Sequence, residues 1–165
     1  GDGSPQHLAA LMFETRAQVR MSHIPYKGGA LAINDLLGGN VDLLIAPLPE
    51  ALPHIKAGKL TSLALMSDKR SPLIADVPTM REAGIPNMVM QTWIGLLAPA
   101  RTPRPIIDQL NRQVHAILQS DEVKNQLMES GMDVAPTTPE QFQQVIAQEI
   151  ALHAELVKAS GLVPQ

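Results

Sequence analysis

Two short glycine-bearing loops, residues 1–7 and 23–29, carry the side chains best suited to chemistry in this sequence. Each loop is predicted to open a helix, where free backbone N–H groups and a partial positive charge favour anions. Hydroxyl and imidazole groups at the loop tips would add further donors. The two loops therefore predict a binding site for a small anion such as a carboxylate. The residues that this places at the site are Gly3, Ser4, His7, Tyr26, Gly28 and Gly29.

Ser4 and His7 admit other interpretations. Ser4 is most simply explained as the N-cap of the following helix, with Pro5 in its first turn. His7 could be a surface or helix-packing histidine. The pair could also be nucleophile and base of a hydrolase, but no third orienting residue is evident and the Gly-x-Ser-x-Gly elbow is absent. A serine/histidine hydrolase is therefore the disfavoured alternative.

Other catalytic or cofactor motifs are weak in this sequence. Glu50 and His54 have the spacing of metal ligands on a helix, but two ligands do not make a site, and a solvated helix face is the favoured interpretation. The chain has no cysteine, which excludes thiolate metal sites and a cysteine nucleophile. Phosphate-binding and dinucleotide fingerprints do not occur. We therefore predict no catalytic residue, no metal and no cofactor.

Composition narrows the class of partner. Of the 165 residues, 45% are hydrophobic and 18% are charged, so a packed core is feasible. The formal net charge of −3 and the scattered basic residues argue against nucleic acid. No apolar run approaches the roughly 18 residues that cross a bilayer. The sequence begins at Gly1 without an initiator methionine, and we expect it to be part of a longer protein.

The first 66 residues alternate helical and strand-like patterns. Helices are predicted at 5–17, 30–37 and 47–57, the last with Pro53 inside it. Short apolar strands are predicted at 19–24, 41–46 and 60–66. The order α-β-α-β-α-β with short connections predicts a parallel sheet covered by helices.

The alternation of helical and strand-like patterns becomes irregular after residue 67. A capping box from Thr79 to Glu82 predicts a short helix ending at Gly84. An extended segment is expected at 88–97. Three helices follow in the prediction, at about 103–119, 121–130 and 139–160, the second capped by Ser120 and the third by Thr138 with Gln141 as its partner.

Seven ordered motifs then give a family resemblance that runs over essentially the whole chain. They are GSPQH at 3–7, HIPYKG at 23–28, DLLGGNVDL at 35–43, ALPHIKAGKL at 51–60, DVPT at 76–79, EAG at 82–84 and WIGLLAPA at 93–100. With these motifs the chain resembles the Bug or TctC-type periplasmic solute-binding receptors of tripartite tricarboxylate transporters.

The resemblance implies an α/β fold of the periplasmic-binding-protein type (type II), with two lobes that close on a small carboxylate. It implies that residues 1–91 form most of the second, ligand-binding lobe. Residues 92–165 would be the crossover and C-terminal helices of the first lobe, whose N-terminal half would be missing.

The resemblance adds Ala46 to the ligand-binding residues. Many family members carry Asp or another polar residue at that position, and Ala46 cannot pair with an ammonium group, which favours a plain carboxylate over an amino acid. Glu50 replaces a usually small residue and could line the cleft.

The implied function is capture of a carboxylate in the periplasm for the membrane components of a transporter, without catalysis and without insertion of the receptor in the membrane. The alternative is a receptor that acts on a signalling partner. The resemblance does not identify the solute.

Overall fold

The computed structural model describes residues 1–160, and helices dominate it. The α-helices of this part of the chain are α1 (Pro5–Ala17), α2 (Gly29–Leu37), α3 (Leu48–Lys56), α4 (Arg104–Leu118), α5 (Asp121–Glu129) and α6 (Pro139–Ser160). A 3₁₀ turn spans Pro72–Ile74. None of the described helices combines the length and the apolar character that crossing a membrane requires.

The chain divides into two compact units. The first contains Gly1–Thr92 together with the last described residues of α6, 156–160, and the second contains Trp93–Glu155. The assignment of residues 1–91 and 92–165 to two different lobes stays a prediction.

The helix starts follow the capping signals in the sequence. At α1 the Ser4 Oγ accepts a hydrogen bond from the His7 backbone N–H at 3.3 Å, and Pro5 is the first helical residue. At α6 the Thr138 N–H donates to Gln141 Oε1 at 2.9 Å, while the Gln141 N–H donates to Thr138 Oγ1 at 3.2 Å. Such bonds satisfy N–H groups that have no partner within the helix. The predicted caps at Ser4 and Thr138 are confirmed.

The predicted strands are a different matter. Segments 19–24, 41–46 and 60–66 form no strand in the described structure apart from a parallel bridge between Leu65 and Thr79, and the segment 88–97, predicted to be extended, forms no strand either. A strand exists only where its N–H and C=O groups pair with a neighbouring strand. Among the described residues these segments pair with another extended segment only at the Leu65 bridge and through a bond from the Met90 N–H to the Met66 carbonyl oxygen.

The predicted helix at 79–84 is also wrong, although its capping box forms. Glu82 accepts hydrogen bonds from the Thr79 N–H at 2.8 Å and from Arg70 Nε at 2.9 Å. The pKa of Glu82 is lowered by the Arg70 bond first and by the Thr79 backbone bond second. The turn ends at Gly84, which has a φ of 91°. Pro86 follows two residues later, so the segment is too short to continue as a helix.

Among the described residues, the buried apolar side chains lie in the first unit. They come from one face of α1, from the middle of α2 and α3, and from the segment after Gly84. The helices α1, α2 and α3 belong to the same compact unit, and α2 packs against α3. The buried apolar residues are Leu8, Ala9, Met12, Ala32, Ile33, Leu52 and Met88.

Candidate functional site

The first glycine loop folds back on the start of α1. The Gly3 N–H donates to His7 Nδ1 at 3.2 Å. Because Nδ1 accepts this bond, the proton of the neutral imidazole lies on Nε2. The Ser4 hydroxyl accepts from the His7 N–H and keeps its own proton for another acceptor. The loop thus presents two side-chain donors at a helix start.

The two loops singled out from the sequence meet. The rings of His7 and His23 stack with centroids 3.8 Å apart and planes inclined by 13°. His23 Nδ1 also lies 3.4 Å from an Asp2 carboxylate oxygen. A Cβ on Gly1 would lie 3.4 Å from the Tyr26 carbonyl oxygen. Residues 16 or more apart in the sequence are therefore in direct contact beside α1.

His7 is held neutral by its surroundings. The side chain is buried, and burial is the largest cause that lowers its pKa, followed by repulsion from His23. A buried imidazole loses hydration that the charged form needs. His7 is therefore a neutral hydrogen-bond donor through Nε2 rather than a cation near pH 7.

Asp2, His7 and His23 bring three potential metal-ligand atoms within 4.8 Å of one another. Two features oppose coordination in this arrangement. His7 Nδ1 already accepts a hydrogen bond, and the lone pairs of the two stacked rings lie in separate, nearly parallel planes rather than pointing at one shared position. The cluster is better suited to hydrogen bonding than to holding a metal ion.

The Tyr26 side chain is hydrogen-bonded to a residue of α2. Its hydroxyl donates to Asp35 Oδ2 at 2.7 Å, and this bond is the main cause that raises the pKa of Tyr26. The phenolic oxygen retains acceptor capacity, but its proton is used within the protein. Sequence reasoning missed Asp35, because nothing in the spacing of two residues nine apart indicates that they bond.

The second loop leads to a pocket between α2 and α3. Gly28 precedes α2 with a φ of 153° and provides no side-chain cap. Beyond it lies a cavity of about 430 Å³, large enough for a small organic ligand. The residues that line this α2–α3 pocket are Gly29, Ala30, Ile33, Asn34, Glu50 and His54.

The α2–α3 pocket includes part of the predicted site and adds residues to it. Gly29 lines it, whereas Gly3, Ser4, His7, Tyr26, Gly28 and Ala46 are not among its lining residues. Ala46 is half-buried and lies two residues before α3. Glu50 and His54 both line the pocket, and Glu50 is exposed there, as expected of a solvated helix face.

Sequence comparison identifies the family of the chain. The pattern of the tripartite tricarboxylate transporter family receptor, TctC, matches residues 1–162. Protein BugT of Bordetella pertussis is 39% identical over 159 residues, which are 96% of this chain and 49% of BugT. The chain thus spans about half the length of the curated relatives it matches.

Solved structures give the same result. A structure described as R. palustris Rpa4515 with adipate has a TM-score of 0.91 and 35% identity over 98% of this chain and 54% of its own. The periplasmic binding protein BugD has a TM-score of 0.90 and 35% identity, covering all of this chain and 56% of BugD. MatC of Rhodopseudomonas palustris, with bound malate, has a TM-score of 0.83 and 31% identity over 95% of this chain and 54% of MatC.

These matches fix the fold as part of a periplasmic binding protein, and they come from a family of solute-binding receptors rather than enzymes. The chain belongs to the tripartite tricarboxylate transporter family receptors, the TctC family.

Proposed function

We propose that the chain is part of a periplasmic receptor that captures a small carboxylate for the membrane components of a tripartite tricarboxylate transporter, without catalysis. One observation carries the proposal. The two glycine loops meet at the start of α1 and leave Ser4 and His7 with protons to donate. Two solved relatives bound to adipate and malate, both carboxylates, add support.

The proposed mechanism is capture by oriented donors. The Ser4 hydroxyl, His7 Nε2–H and the Gln6 N–H in the first turn of α1 surround one carboxylate, and hydrogen bonds to an ionised acceptor are stronger than neutral ones. The start of α2 is the second polar end of the site. The proposed ligand-binding residues are Gly3, Ser4, His7, Tyr26, Gly28, Gly29 and Ala46. Ala46 offers no group for a ligand ammonium, which favours a plain carboxylate.

In this proposal residues 1–91 form most of the ligand-binding lobe, and residues 92–165 belong to the crossover and helices of the other lobe. Closure of two lobes by a hinge would exclude water and strengthen the bonds to the carboxylate. The closed receptor would then be recognised by the transporter. A receptor that signals to a sensor partner would bind its solute in the same way.

The hydrolase alternative lacks the required geometry. A serine nucleophile needs its hydroxyl hydrogen-bonded to the basic nitrogen of the histidine. Here Ser4 Oγ accepts from the backbone N–H of His7, and His7 Nδ1 accepts from Gly3. The imidazole is therefore engaged with the loop rather than with the hydroxyl.

A thermal-shift panel on the full-length protein tests the proposal. Mono-, di- and tricarboxylates are compared with the neutral amides of the same acids. A ligand at about 100 times its Kd stabilises the folded state by about 2.7 kcal/mol, which corresponds to a shift of a few degrees in Tm. We expect a shift with at least one carboxylate and none with its amide. Equal behaviour of acids and amides across the panel would refute a carboxylate receptor.

A further inference from the structure

The carboxylate of Glu50 lies across the opening of α2. A Cβ added to Gly29 would lie 1.8 Å from Glu50 Oε2 and 2.8 Å from Glu50 Cδ. Glycine at position 29 therefore leaves the space that this carboxylate fills. Glu50 is exposed and belongs to the first turn of α3, so it reaches the start of α2 from the neighbouring helix.

Glu50 has no competing partner there. Within the described residues its carboxylate makes no hydrogen bond and no ion pair. The start of α2 lacks a side-chain cap as well. A helix start attracts negative charge, and Glu50 supplies that charge from within the protein. The oxygens of Glu50 keep their full capacity to accept hydrogen bonds.

We propose that Glu50 determines which solutes the site accepts. Resting on the proposed function, this assigns one carboxylate of the solute to the α1 opening, where Ser4 and His7 offer donors and Asp2 lies against His23. At the α2–α3 pocket Glu50 repels a second carboxylate and accepts a hydrogen bond from a neutral donor such as a hydroxyl. The preferred solute is a monocarboxylate with a hydrogen-bond donor at its other end, rather than a dicarboxylate.

The physical basis is that the α1 end of the site offers hydrogen-bond donors, whereas the Glu50 end offers a negatively charged acceptor. Two like charges a few ångströms apart repel each other. A hydroxyl in the same place donates to the carboxylate of Glu50, and such charge-assisted bonds are about twice as strong as neutral ones. Glu50 also occupies volume that a solute would otherwise fill, in a cavity of about 430 Å³.

The test compares two acids of equal chain length on the full-length protein. Adipate carries carboxylates at both ends, and 6-hydroxyhexanoate carries a hydroxyl in place of one of them. Isothermal titration calorimetry gives the ratio of their Kd values for the wild-type protein and for Glu50→Gln. We expect the wild type to bind the hydroxy acid at least tenfold more tightly, and Glu50→Gln to reduce this ratio at least tenfold.

Two further variants separate charge at this position from other effects. Glu122→Gln removes the same charge from the exposed start of α5 in the second unit and should leave the ratio unchanged. Gly29→Ala places a methyl group where the Glu50 carboxylate lies. Because that carboxylate is the end of a flexible side chain, it can turn away, and the ratio should move in the same direction as in Glu50→Gln.

The outcomes distinguish a failure of the proposal for Glu50 from a failure of the proposed carboxylate receptor. If the ratio of the Kd values for adipate and the hydroxy acid were the same in the wild type and in Glu50→Gln, the role of Glu50 would be overturned and the carboxylate receptor would remain intact. Failure of every carboxylate in the panel to bind any of these proteins would overturn both proposals.

Discussion

Replacement of Ser4 separates its structural role from its proposed role in binding. The Ser4 hydroxyl caps α1 by accepting from the His7 N–H at 3.3 Å. Loss of such a cap in Ser4→Ala costs about 1 kcal/mol of unfolding free energy. The variant also loses a donor to the ligand. A hydrogen bond to a charged group contributes about 1.5–3 kcal/mol, so the Kd for a carboxylate should rise roughly 10- to 150-fold.

Two other substitutions divide these effects. Ser4→Asp retains the cap, because Asp and Ser cap equally well, but it places a negative charge beside the ligand carboxylate. Ser4→Asn retains both a cap and a donor. In guanidinium denaturation followed by circular dichroism, we expect only Ser4→Ala to be destabilised. In calorimetric titration with the tightest carboxylate of the panel, we expect Ser4→Asp to bind most weakly and Ser4→Asn to remain closest to the wild type.

One result would refute this reasoning directly. If Ser4→Asp bound the carboxylate as tightly as the wild type, no anion could lie beside the α1 opening. Equal stability of Ser4→Ala and the wild type would instead show that the cap contributes little.

Three further predictions concern neighbouring groups. Burial and His23 lower the pKa of His7 from 6.5. As the pH falls, His7 is therefore protonated in the unfolded chain before it is protonated in the folded one. Stability is retained above pH 6.5 and falls as the pH drops below it, and His7→Gln should flatten this dependence in denaturation at several pH values. The pKa of Tyr26, the single tyrosine, should lie above its ordinary value of 10.0. Asp35→Asn should lower the pKa of Tyr26 in an ultraviolet titration. Gly95→Ala places a Cβ 2.1 Å from Phe142 Cζ and should alter the emission of the single tryptophan that packs on that ring; unchanged emission would contradict the contact.

The helices could be predicted from the sequence because their signals are local. The α1 cap involves residues three apart, and so does the reciprocal pair of Thr138 and Gln141 that begins α6. Such contacts form from a few neighbouring residues whatever the rest of the chain does. Ser120 shows the limit, since it precedes α5 but its hydroxyl donates to the Ile117 carbonyl oxygen instead of capping.

The strands could not be assigned in the same way, because pairing is not local. Residues 94–97 belong to a segment predicted to be extended, yet Ile94, Leu96 and Leu97 are 87%, 78% and 76% exposed. Their apolar character predicts burial against a neighbour, and the sequence of the segment does not specify which neighbour. Only at Leu65 does a parallel bridge form, with two backbone bonds to the 78–80 segment, in the described structure.

The candidate site depends both on local signals in the sequence and on contacts between distant residues. Glycine loops at helix starts could be predicted, since the residues that open a helix are adjacent in the sequence. The Tyr26–Asp35 bond and the position of Glu50 against Gly29 depend on how helices pack, which no spacing in the sequence reveals. One of these contacts uses up the tyrosine proton, and the other places an acceptor at the start of α2. In the proposed receptor the loops would form the carboxylate site, and the contacts between helices would determine which carboxylate fits it.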